Sequence, residues 1–184
     1  MNIEQHEIIN HALSSNENLQ VALAVCGAYE ELKKKIIKDF SVYLESLLVE
    51  FGVESDFSDW RNRTLEPYTG FLCYKLNWHE GVKIKVEAQT GGYNKYIIGL
   101  NDRNRLTDSQ TKGIFYNKCN NAFNCTGLKS PDWIWYIYLP DEYRNFDNAK
   151  TFFALHEKKV FAAYLLTEIK KLGAVLDSEF PKAE

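Results

Sequence analysis

The sequence predicts an α+β fold: an antiparallel four-stranded meander sheet with long N- and C-terminal helices packed on one face. Three observations carry this. Apolar residues recur every three or four positions near both ends of the chain, the period of one helix face. Between residues 70 and 100 the period drops to two, the repeat of a half-buried strand. Short Gly-containing turns separate the period-two stretches, so consecutive strands run antiparallel.

The helical part comes first. Residues 3–13 predict a short helix. Ser14-Ser15-Asn16 interrupts it and offers a side-chain oxygen to cap the next one. From Asn16 to Phe51 the pattern is helical. Leu32, Ile36, Phe40, Leu44, Leu47 and Phe51 align on one face, Gly52 follows as a C-cap, and Gly27 is a place to bend or divide the segment. Val21, Val25 and Tyr29 are surplus apolar surface, suited to self-association or a partner.

Three strands follow, Gly70–Trp78, Val82–Gln89 and Tyr93–Leu100, joined by His79-Glu80-Gly81 and Thr90-Gly91-Gly92. In the second strand Val82, Ile84, Val86 and Ala88 alternate with Lys83, Lys85, Glu87 and Gln89. One face is expected to be packed and the other wet. Residues 101–131 are polar and Asn-rich, a long connection with a short helix around Asp108–Tyr116. Trp133–Tyr138 is the fourth strand, stopped by Pro140. Asp147 caps a last helix along which Phe161, Leu165, Ile169, Leu172, Leu176 and Phe180 share a face, and Pro181 ends it.

At 184 residues, 45% hydrophobic and 26% charged, the chain suits one domain spanning 1–184 that needs no disulfide or metal staple. The net charge of -3 excludes a globally basic nucleic-acid binder. Its distribution is uneven: residues 1–59 carry 4 Lys/Arg against 11 Asp/Glu, residues 60–105 carry 8 against 4, and residues 106–184 carry 10 of each. The opening MNIEQHEIIN lacks a signal-peptide pattern and no apolar run is long enough to span a bilayer, so a cytoplasmic protein with reduced thiols is expected.

The sheet's wet face is the leading candidate site. Alternation assigns it Lys75, Lys83, Lys85, Glu87, Gln89, Tyr93 and Lys95, with Asn77 beside them. Arg61, Arg63, Arg103 and Arg105 flank it in sequence. Such a surface meets phosphates or an acidic protein; the bland alternative is that these residues only solvate the sheet. Glu80 and Glu87 bracket the second strand. Metal-dependent nucleases place an acidic residue ahead of a strand bearing E-x-K, so that carboxylates hold Mg²⁺ and the Lys steadies the attacking water. Here Gln89 stands where that Lys would be, and Asp56 and Asp59 are upstream acids by location only. Cys119 and Cys125, with five residues between them, lack the further ligands of a zinc site. Cys26 and Cys73 read as small core residues. His6, His11, His79 and His156 form no ligand or triad pattern. Trp60, Trp78, Trp133 and Trp135 read as core packing. No metal or cofactor is expected.

The run Trp78-x-x-Gly81-Val-Lys-Ile-Lys-Val-Glu87-Ala-Gln-Thr-Gly-Gly-Tyr93-Asn94-Lys-Tyr96-Ile-Ile-Gly99-Leu100, with the later Trp133-Ile-Trp135, resembles the C-terminal part of PD-(D/E)XK-like nuclease family proteins of unknown function from bacteria and phages. The resemblance covers residues 60–140. In that family the nuclease motif lies N-terminal to this region, where the present chain offers only helices. The resemblance therefore implies an accessory or recognition module, of the kind that accompanies defence and counter-defence genes, and carries over no catalytic residue. Three functional readings follow. The first is a non-enzymatic binding protein with a protein partner, or with nucleic acid through residues 60–105. The second is a Mg²⁺-dependent nuclease using Glu87 and Gln89. The third is a phage-encoded inhibitor whose acidic helices imitate nucleic acid for a basic partner protein. A homo-oligomer is compatible with each, and no membrane partner is expected.

Overall fold

The chain divides into two compact units, Met1–Ile36 and Ile37–Glu184. The computed structural model describes residues 3–63, 66–78, 81–146 and 149–179. The expectations for His79, Glu80, Asp147, Phe180 and Pro181 lie outside the described residues.

The first unit is a helical hairpin made by α1 (Ile3–Ala12) and the start of α2 (Asn16–Glu50). The Ser-Ser-Asn break works as its composition suggests. Ser14 Oγ donates to the His11 carbonyl at 2.7 Å, closing α1, and Ser15 Oγ accepts the Asn18 amide at 3.1 Å, opening α2. Gly27 does not divide the helix: α2 runs unbroken through it for 35 residues.

In the second unit α2 ends as predicted at Gly52, whose φ of +64° is the left-handed conformation that glycine adopts without penalty. The Gly52 amide reaches the Val49 carbonyl at 3.0 Å and the Val53 amide reaches Leu48 at 3.2 Å, the paired bonds of a Schellman stop. The buried stripe differs from the expected one. Ile37, Phe40, Leu44 and Leu48 are buried, whereas Leu32 and Phe51 are exposed.

The sheet has six strands rather than four: β1 (Glu54–Asp56), β2 (Gly70–Tyr74), β3 (Lys83–Thr90), β4 (Asn94–Asn101), β5 (Leu128–Ser130) and β6 (Trp133–Tyr138). Their order is β1-β2-β3-β4-β6-β5, and every pair is antiparallel. The two additional strands are three-residue edges, too short to show a period. β2 stops at Tyr74 instead of Trp78, because the chain turns there and the Trp78 amide bonds the Lys75 carbonyl at 3.1 Å.

Helices α3 (Ser58–Asn62), α4 (Ser109–Phe123), α5 (Asp141–Arg144), α6 (Ala149–Glu157) and α7 (Lys159–Glu179) complete the chain. The last predicted helix is two helices, because Lys158 between them takes φ +63°. Its apolar stripe holds: Phe161, Leu165, Ile169, Leu172 and Leu176 are all buried. α4 is longer than expected, and its cap is Asp108, which accepts the amides of Gln110 and Thr111 at 2.8 and 2.9 Å.

The core of this unit lies on the sheet face that carries Phe71, Cys73, Ile84, Val86, Tyr96, Ile98, Leu100 and Trp135. Ring contacts tie α4 and the segments beside α3 and α5 to that face: Phe57, just before α3, stacks on Phe71 with 4.5 Å between centroids, Phe146, just after α5, on Tyr96 at 4.4 Å, and Phe123 of α4 leans on Trp135 at 4.6 Å. All four tryptophans are buried, as core packing predicts. No described helix is long and apolar enough to cross a membrane.

Candidate functional site: the outer face of the sheet

Residues opposite one another in an antiparallel pair point to the same side. The register therefore puts Asp56, Leu72, Lys85, Gly99, Tyr136 and Leu128 in one row across the outer face, and Gly70, Glu87, Ile97 and Tyr138 in the next. This is the face expected to be wet, and at its centre it is not. Lys85 and Glu87 are 7% and 5% exposed and form an ion pair with each other. Gln89 Nε2 donates to the second carboxylate oxygen of Glu87 at 2.8 Å. Both oxygens of Glu87 are thus engaged, and the triad of side chains carries no net charge.

Two glycines shape this centre. Gly99 stands opposite Lys85 and Gly70 opposite Glu87, so each charged residue has a cross-strand side chain on one flank only, Leu72 and Ile97 respectively. Both glycines are required by close backbone approach. A Cβ on Gly70 would stand 1.8 Å from the Val86 carbonyl oxygen, and one on Gly99 would stand 2.1 Å from that of Trp135.

Around this neutral centre the face is aromatic. Tyr136 and Tyr138 are half-exposed and exposed, and their rings meet edge-on at 6.3 Å. The Arg144 guanidinium lies 5.4 Å over Tyr138, while its Nε donates to the Leu139 carbonyl at 2.9 Å. Burial, and then the neighbouring Tyr138, push the Tyr136 phenol above its ordinary value, so it holds its proton at neutral pH and remains a donor. Lys83 opens β3 with its ammonium 5.1 Å over Tyr74.

Of the seven residues the sequence assigns to this site, Lys83, Lys85, Glu87 and Gln89 share the face. Lys95 is exposed at the start of β4 in left-handed conformation, and its amide is held by Asn145 Oδ1 at 2.9 Å. Lys75 and Tyr93 are elsewhere. Lys75 follows β2 and pairs with Asp177 of α7 at 2.7 Å, and the same carboxylate accepts Trp78 Nε1 at 2.8 Å. Tyr93 is wholly buried in the β3–β4 turn, where its carbonyl accepts the Phe146 amide at 3.1 Å. Strand alternation does not extend past a strand's end, which is why it misplaced both. Sequence reasoning missed Tyr136, Tyr138 and Arg144. The signal was present as alternation in Trp133–Tyr138, but only the β4–β6 register joins it to β3.

The basic block of residues 60–105 is also largely neutralised. Among the described residues at least five of its eight cations are ion-paired: Arg61 with Glu45, Arg63 with Asp59 and Glu66, Lys75 with Asp177, Lys85 with Glu87, and Arg105 with Asp132. For the metal-dependent reading, Asp56 lies in the Lys85 row two strands away, and its carboxyl is held below its ordinary value by hydrogen bonds from Ser58. Among the described residues no three His, Cys, Asp or Glu side chains stand close enough to hold a metal ion. Cys119 is buried and Cys125 exposed.

The chain matches no family model, no curated protein and no solved structure.

Proposed function

We propose that this chain is a binding module that engages a protein partner through the outer face of its sheet. The observation that supports this best is the solvent-accessible cluster of Tyr136, Tyr138 and Arg144 beside the neutral Lys85–Glu87–Gln89 group. Tyrosine and arginine grouped on a rigid platform, with charge depleted at the centre, is the composition of energetically dominant spots in protein interfaces. A nucleic-acid partner would call for unpaired cations along the face, and most of those in residues 60–105 already have carboxylate partners. The resemblance of residues 60–140 to an accessory region of nuclease-family proteins agrees with recognition rather than cleavage, in a prokaryotic or phage defence setting.

The test is affinity capture from the native host with mass spectrometry, comparing wild type with a Tyr136→Ala, Tyr138→Ala double variant. A partner retained by wild type and lost in the variant, at unchanged melting temperature, is the expected outcome. Equal retention by both would remove the face from the interface. Mg²⁺-dependent cleavage of DNA or RNA that vanishes in Glu87→Ala would replace the reading with the nuclease one.

A further inference from the structure

Unit 1 carries a second surface, independent of the sheet face. Of twenty large apolar side chains exposed among the described residues, nine fall within the first 36 positions: Ile3, Ile8, Ile9, Leu13, Val21, Leu23, Val25, Tyr29 and Leu32. They are 42–81% exposed. From Asn18 to Tyr29 there is no charged residue. A ten-residue helix paired with one neighbour is marginal in water, so apolar surface on this scale calls for a cover.

The pattern indicates which cover. Val21, Val25, Ala28 and Leu32 step by four, three and four, the alternation that lets two helices interlock along a seam. All four are exposed. The uncharged stretch from Asn18 to Tyr29 holds three of the four seam positions and can face a copy of itself with little like-charge repulsion, as a two-fold interface requires. The flanks then choose the direction. Glu17 stands before the seam; at its other end Glu30-Glu31 and Lys33-Lys34-Lys35 stand together, with Lys34 ion-paired to Glu31 at 2.7 Å, an end that is net positive by one charge. With helices antiparallel and Val21 set against Leu32, Glu17 comes beside Lys34-Lys35 of the other copy. The two Glu17 side chains are then roughly 28 Å apart at 1.5 Å per residue, well beyond the screening length. A parallel pair would instead set Glu17 on Glu17 and lysine on lysine.

We infer that the α1–α2 hairpin docks on the same hairpin of a second copy, with the two α2 helices antiparallel along Val21, Val25, Ala28 and Leu32. A groove of about 440 Å³ between α1 and α2, lined by Ile8, Ala12, Val21 and Ala22 among others, borders this seam and offers room for side chains of the second copy.

Light scattering on the eluting protein, from low to high micromolar, tests this. The expected mass is twice the 21.4 kDa of one chain. Val21→Glu with Val25→Glu should give the single-chain mass. All four tryptophans lie in the second unit, so unchanged tryptophan fluorescence shows that the rest of the chain remains folded. Glu17→Lys should weaken the dimer several-fold, and adding Lys34→Glu and Lys35→Glu should restore it. A single-chain mass at every wild-type concentration overturns the inference, as does a dimer indifferent to the Val21 and Val25 changes. A single chain that co-sediments with phosphatidylcholine vesicles would overturn it too, and would give the hairpin to a membrane surface. Failure of the charge swap to restore association overturns the antiparallel register.

Discussion

Lys85 and Glu87, two positions apart on β3, project from the same side of the sheet and neutralise each other where each is less than a tenth exposed. Gln89 supports the carboxylate from two positions further on. A strand sequence that looks like a charged, solvated edge is thus a nearly buried polar group with its partners built in.

The pair has an asymmetric energetic consequence. Glu87→Gln leaves a nearly buried ammonium without its counter-charge and should cost about 3–5 kcal/mol. Replacing both, Lys85→Met with Glu87→Leu, removes the desolvation penalty together with the attraction and should be close to neutral or stabilising. Urea denaturation of the single and double variants measures both, and a single variant as stable as wild type would mean that the pair is screened by solvent.

Trp60 Nε1 donates to Tyr96 Oη at 2.6 Å, and both rings are fully buried in the core. This bond joins α3 to the middle strand β4. Trp60→Phe keeps most of the ring but leaves the phenol without this donor, and should cost about 1–3 kcal/mol. Chemical denaturation should show a shifted midpoint at unchanged slope.

Asp102 gives a pH prediction. Burial pushes its carboxyl up. Lys112 Nζ at 2.9 Å and the amides of Leu106 and Thr107 outweigh that effect and hold it below its ordinary value. A depressed folded-state value means that the ionised form favours folding. The contribution is fully present above the ordinary carboxylate range and is lost as pH falls through the folded-state value. Asp102→Asn should therefore lower the melting temperature at pH 7 and lose less on acidification than wild type does. Parallel melting curves against pH would show that Asp102 is not the group responsible.

The thiols should divide into two classes. Cys26 and Cys125 are exposed, whereas Cys73 and Cys119 are buried. Burial pushes the Cys119 thiol up to about 12 and raises Cys73 as well, so neither is a thiolate near neutrality. Iodoacetamide at pH 8 should label Cys26 and Cys125 in the folded protein, and all four only after denaturation. Elemental analysis should find no zinc, since Cys119 and Cys125 differ so sharply in accessibility. About one equivalent of zinc, lost on Cys119→Ser, would contradict this.

Elements fixed by local chemistry were readable from the chain alone. The helix stop at Gly52 needs a residue tolerant of positive φ. The break at Ser14-Ser15 needs short oxygens. The stripe from Phe161 to Leu176 needs only a helical period. Each depends on residues within a few positions of one another, so sequence spacing carries the information. The α+β class and the central β2-β3-β4 meander follow in the same way, from period and turns.

What only the tertiary structure decided depends on partners distant in sequence. Glu54–Asp56 and Leu128–Ser130 are strands because β2 and β6 present open hydrogen-bonding edges to them, not because of any pattern of their own. What flanks Lys85 and Glu87 depends on the register, which sets Leu72 and Ile97 beside them on one side and Gly99 and Gly70 on the other. Lys75 left the predicted face for Asp177, about a hundred residues later in the chain. Tyr136 and Tyr138 joined that face because β6 pairs with β4 across the insertion of α4 and β5. Alternation tells which side chains on one strand share a side. Burial and charge neutralisation are sums over neighbours from many strands and helices, and the chain order of those neighbours does not specify them.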